Sequence, residues 1–172
     1  MIQLKITSDP LDEIENHLAM VLTYEDVRPL RGQAGMVDWR LNGRLSELIL
    51  KERFNGQHGE ALLMPLQGRL PAKELMVLGM GAHSQLQDQD TPRYVSMILD
   101  KLLLKNNRSF SLSFSDLVHG MFEWRNAVRL FMSMLSGREE DYQISIVEPR
   151  EYVDDARRRH MDFAFDVQVQ YR

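Results

Sequence analysis

Polar and apolar residues alternate from Ile2 to Thr7, with Ile2, Leu4 and Ile6 on one side, the period of a strand with one buried face. Ser8, Asp9 and Pro10 end it. Leu18–Tyr24 is instead almost continuously apolar, the pattern of a central strand covered on both faces by helices. From Val37 to Phe54 the period lengthens. Val37, Leu41, Leu45 and Leu48 recur at helical spacing while Asp38, Arg40, Arg44 and Lys51 fall elsewhere on the wheel, so one amphipathic helix is expected. Gly56 and Gly59 mark a turn into a strand over Glu60–Gln67, limited by Pro65, and a further apolar strand follows at Leu75–Gly79.

Thr91 followed by Pro92 predicts a helix start, because a hydroxyl can cap free backbone amides and proline is tolerated at the first helical position. That helix should run to about Lys105 and bury Tyr94, Ile98 and Leu102. Ser109–Phe114 alternates again, with Phe110, Leu112 and Phe114 sharing a face. Beyond a loop holding Ser115, Asp116 and Gly120, Trp124, Val128, Phe131 and Leu135 line one side of a second helix, and Gly137 suits a left-handed stop. Strands are then expected at Tyr142–Val147 and Phe163–Tyr171, separated by a charged helical or irregular stretch that includes Asp154, Asp155 and Arg157 to Arg159. Strands mixed with helices, some continuous and some alternating, indicate a mixed sheet layered between helices.

The 172 residues suit one domain, and a 44% apolar, 27% charged chain without repeats is that of a folded protein. A net charge of -4 argues against general binding to nucleic acid. The absence of cysteine removes disulfides, thiolate chemistry and Cys-ligated zinc, and it suits a reducing compartment. No signal peptide or membrane span is apparent, so the expected setting is the cytoplasm.

Candidate chemistry is sparse. His17, His58, His83, His119 and His160 are scattered singly, which suits surface or packing roles better than metal ligation, with His83 and His119 the best placed because each follows a strand on a loop. There is no nucleophile elbow and no P-loop, and no cofactor is indicated. Gly79 and Gly81 in "GMGAHS" supply two glycines of a dinucleotide fingerprint, with Ser84 where the third would stand. They could let backbone amides face an anion, or simply make a tight turn. Gly32 and Gly35 in "RGQAGMVD" are a second candidate for an anion at a helix start, against a plain beginning of a helix. With Ser115 and Asp116 these four glycines form the candidate ligand-binding set. Asp154 with Asp155, and Glu139 to Asp141, read as solvated carboxylates rather than an acid–base or hard-metal site.

In combination, "LAMVLTYEDVRPLRGQAG", "VDWRLNGRLSELILKERFNGQHGEALLMPLQ" and "ELMVLGMG" resemble the N-terminal domain of the leucyl, or cytosol, aminopeptidases of peptidase family M17. The resemblance extends through the helices near residues 92 to 105 and 121 to 135. It implies a three-layer α/β/α domain with a mixed, mostly parallel sheet, similar to the macro domain fold. It also implies what to miss: the family's two-metal peptidase centre belongs to a separate domain with an "NTDAEGR" motif, and no catalytic or metal-binding residue carries over. The chain is expected to be that accessory domain standing alone, its last strand completing the sheet or pairing with another chain. True macro domains hold ADP-ribose with a "GGG" loop and an early asparagine motif, neither of which is present. The leading expectation is a non-catalytic interaction, oligomerisation or regulatory module, partnered by itself or by an aminopeptidase-like protein. The alternative is a binder of a nucleotide or other anionic small molecule.

Overall fold

The computed structural model describes residues 1–104, 106–163 and 166–172. Lys105, expected at a helix end, and Ala164 and Phe165, expected in the last strand, lie outside the described residues. In chain order the elements are β1 (Ile2–Thr7), β2 (Leu18–Thr23), α1 (Gly32–Arg40), α2 (Arg44–Leu50), β3 (Ala61–Pro65), β4 (Glu74–Gly79), α3 (Thr91–Leu103), β5 (Ser109–Leu112), α4 (Met121–Leu135), β6 (Tyr142–Val147), α5 (Arg150–Arg158) and β7 (Val167–Tyr171).

Among the described residues the strands form a seven-stranded sheet in the order β3-β4-β2-β5-β6-β1-β7, with all neighbours parallel except β3 against β4. β7 runs parallel to β1 from the Ile2–Val167 register onward and forms one edge, so the last strand completes the sheet. β2 is buried at every residue, as its unbroken apolar run requires. β4, equally apolar, sits one strand in from the β3 edge.

Alternation along the strands divides the core in two. Leu4, Met20, Leu78, Phe110 and Ile144 face α3, α4 and α5, where Ile98, Trp124, Phe131 and Val153 complete a large apolar layer. Ala19, Val21 and Val77 face the other way, onto Ala34, Val37, Leu41 and Leu45 of α1 and α2. This second helical layer lies over half of the sheet only. On β6, β1 and β7 the same face carries Gln143, Gln3, Gln168 and Gln170, all exposed.

The helix expected over 37–54 is two helices, and it begins earlier, at Gly32. Asn42 and Gly43 adopt positive φ of 55° and 77°, which ends α1 and turns the chain. Asp38 then caps α2, its Oδ1 accepting the amides of Leu45 at 2.7 Å and Ser46 at 3.1 Å. Apolar spacing continues through the break, so periodicity alone runs the two together. Thr91 lies inside α3 rather than capping it, and no side-chain bond caps that helix. Gly137 has the expected left-handed φ of 81° just beyond α4. Asp155 is buried rather than solvated, holding Arg125 of α4 at 2.7 Å and Arg159 at 3.0 Å and so tying α5 to α4.

Candidate functional site

Because β1, β2, β4, β5 and β6 are parallel, their carboxyl ends share one edge of the sheet. From adjacent strands β2 and β5 the chain leaves to opposite faces, α1 packing on the second apolar layer and α4 on the first. The exit loops therefore part and leave a crevice between them, the place where ligands of open α/β sheets bind. A cavity of about 260 Å³ opens here. Leu22, Val27, Leu30 and Ala34 form its apolar wall, and Arg31, Gly32, His83, Ser115, Asp116 and His119 bring its polar groups.

The loops around it are held by their own side chains. Asp116 turns back to α1, where its Oδ2 accepts the Gln33 amide at 3.0 Å, one of the free donors at a helix start. The Tyr24 hydroxyl donates to the Asp116 carbonyl. Burial raises the Asp116 carboxyl above the usual range against the opposing Gln33 bond, and burial also holds the Tyr24 phenol well above its ordinary value. Gly32 has φ of 60°, and a Cβ there would fall 2.3 Å from Asp116 Oδ1, so the carboxylate sits where only glycine leaves room.

Behind the crevice Glu148, at the end of β6, is 2% exposed. Its carboxylate accepts the Phe114 amide at 2.6 Å, the Ser115 amide at 3.1 Å and the Ser113 hydroxyl at 3.0 Å. Burial raises it to about 7, even though the Ser115 and Trp124 side chains and the Phe114 and Ser115 amides favour the charged form. On the other side Asp26 accepts the His83 amide at 2.6 Å and the Ser84 amide at 3.0 Å, bonds that lower its carboxyl to about 2. The rings of Tyr24 and His83 lie 4.8 Å apart, and those of His83 and His119 5.3 Å apart, edge to face.

Of the candidate residues, Gly32, Ser115 and Asp116 meet at this cavity. Gly35 sits in the first turn of α1, where a Cβ would meet the Leu30 carbonyl at 2.6 Å. Gly79 and Gly81 face the turn at Gly56–His58 instead: a Cβ on Gly79 would lie 2.2 Å from the Gln57 carbonyl oxygen, and the Gly81 amide donates to Gly56. Tyr24, Arg31 and Glu148 were outside the candidate set. Their roles come from tertiary placement that no local motif signals. Among the described residues no group of three His, Asp or Glu side chains is placed to hold a metal ion, and no helix is long and apolar enough to cross a membrane.

A family model described as the cytosol aminopeptidase family, N-terminal domain, matches residues 20–117, from β2 to the loop that carries Asp116. The chain belongs to the cytosol aminopeptidase family. A probable cytosol aminopeptidase of Alkaliphilus oremlandii is 29% identical over 97 residues, 56% of this chain and 19% of that protein. The chain thus spans about a fifth of the length of the curated family members it matches first. A tomato leucine aminopeptidase superposes with a TM-score of 0.61 at 15% identity, over 91% of this chain and 35% of that one. A Trypanosoma brucei macrodomain in complex with ADP gives 0.61 at 18% identity, over 87% of this chain and 64% of that one. This member of the cytosol aminopeptidase family therefore has a macrodomain-like fold, and its matched part is the family's N-terminal domain.

Proposed function

We propose that the chain is a non-catalytic regulatory or interaction module of the cytosol aminopeptidase type, acting by association with itself or with an aminopeptidase-like protein. The observation that carries this reading is the Asp116 carboxylate on the Gln33 amide. A diphosphate in an α/β crevice is held by free amides at a helix start. Here the chain supplies its own carboxylate to that position, which uses one of the amides and adds negative charge where a phosphate would sit. The space left, about 260 Å³, is also smaller than the ~300–1,000 Å³ of sites that take drug-sized ligands. The ADP of the Trypanosoma brucei macrodomain belongs to that protein, and in this chain Asp116 bridges the crevice to α1.

A cytoplasmic setting goes with this reading, supported by curated relatives that are probable cytosol aminopeptidases. The competing reading, a macrodomain-like binder of a nucleotide or other anion, has Arg31 at the cavity in its favour. Calorimetric titration with ADP and ADP-ribose, paired with light scattering and a leucyl-peptide hydrolysis assay on the purified chain, separates the readings. The expected result is no saturable heat, no hydrolysis and a defined assembly or partner complex. Micromolar ADP binding that Arg31→Gln abolishes overturns the proposal in favour of the competing one, and hydrolysis overturns the non-catalytic claim.

A further inference from the structure

A crevice bridged against diphosphates still leaves a cavity, and its chemistry is two-sided. Asp116 spends Oδ2 on the Gln33 amide, while its Oδ1 has no hydrogen bond among the described residues and is not one of the polar atoms shut away from solvent. Arg31 lines the same cavity, and its guanidinium makes no hydrogen bond or ion pair among the described residues. The same cavity is lined by the apolar wall of Leu22, Val27 and Leu30 and by Ser115, whose hydroxyl is already bonded to that of Ser113 at 3.0 Å.

A ligand with a single charge would pair one of the two groups and leave the other beside a like charge or desolvated without a partner. A small zwitterion meets both. We propose that this cavity binds a free α-amino acid with a short apolar side chain. Its ammonium pairs with Asp116, its carboxylate lies toward Arg31, and its side chain packs on the apolar wall. The acidic side is already in place, because the Tyr24 hydroxyl holds the Asp116 carbonyl and Asp116 Oδ2 is fixed on the Gln33 amide, whereas the exposed Arg31 side chain is ordered on binding. The volume of about 260 Å³ leaves room for a molecule of that size. A regulatory module of a peptidase family would then sense a product of peptide hydrolysis.

This inference goes beyond the non-catalytic reading, and the two fail separately, since ADP tests the former reading and the amino-acid panel tests this one. The test is calorimetric titration of the full chain at neutral pH with valine, valinamide, which keeps the ammonium only, and isovalerate, which keeps the carboxylate only. Saturable binding of valine is expected, with each one-charge analogue and glycine weaker by tenfold or more. Arg31→Gln, at an exposed position, should weaken valine at least tenfold with an unchanged melting temperature. Asp116→Asn should do the same to binding while also loosening α1. Absence of saturable heat with valine at millimolar concentration overturns the proposal. So does equal binding of valinamide, which would make the site a simple cation pocket, or of isovalerate, which would make it an anion pocket.

Discussion

Replacing Glu148 by glutamine removes a buried ionisable group while keeping its shape, and the consequence for stability depends on pH in a calculable way. The folded carboxyl titrates at about 7 against 4.5 for an ordinary glutamate. Below 4.5 the group is protonated whether the chain is folded or not, and burial costs nothing through ionisation. Between 4.5 and 7 the unfolded chain releases its proton while the folded one keeps it, so stability falls as pH rises. Above 7 the full cost is present, about 3 kcal/mol at about 1.4 kcal/mol for each pH unit between the two values. Glutamine carries no such cost. It does turn an amide toward the Ser115 N–H, a penalty that does not vary with pH. Urea denaturation of both proteins at pH 5, 6, 7 and 8 isolates the effect, since every other titrating group cancels in the difference. The stability of Glu148→Gln relative to the parent should rise by about 2.5 kcal/mol across that range, the remainder being already present at pH 5, and most of the rise should fall below pH 7. Two curves that stay parallel within ~0.5 kcal/mol would mean that Glu148 does not meet the low-dielectric surroundings assigned to it.

Asp38→Ala removes the cap of α2 and should lower stability by about 1–2 kcal/mol, with Asp38→Asn losing less because its amide oxygen can still accept from Leu45; thermal denaturation checks both. Gly79→Ala and Gly68→Ala form a pair. Alanine at 68 meets nothing within 4 Å and costs only the left-handed backbone, about 1 kcal/mol, whereas at 79 its Cβ would lie 2.2 Å from the Gln57 carbonyl oxygen and the loss should be at least twice as large. Equal melting temperatures for the two variants would contradict the role of Gly79 as a packing residue.

Signals that depend on neighbours in sequence were legible. The unbroken run of β2, the alternation of β1 and the stripe of Trp124, Val128, Phe131 and Leu135 on α4 each state their own burial, whereas β5 alternates in sequence yet buries Ser111 as fully as Phe110 and Leu112. The break between α1 and α2 was not, because Leu41 and Leu45 keep helical spacing across it and the decisive features are the backbone of Asn42 and Gly43 and the side chain of Asp38. At the crevice, the loops after β2 and β5 could be picked out by glycine and by Ser115 and Asp116. Which glycines face the cavity could not, since Gly79 and Gly81 are claimed by the Gly56–His58 turn, an association made by tertiary packing. Glu148 is a single acidic residue after a strand, like many others. Only its burial beneath the β5 exit loop, with two amides and a hydroxyl aimed at it, gives it a role.

Asp116 is proposed to fill the phosphate position at the start of α1, its carboxylate already on the Gln33 amide. Following the backbone amides of Gln33 and Ser115 by NMR while ADP is added tests it most directly. Both resonances should stay in place at millimolar ADP. Saturable shifts of Gln33 and Ser115 together would show that the nucleotide displaces the carboxylate, and would contradict it.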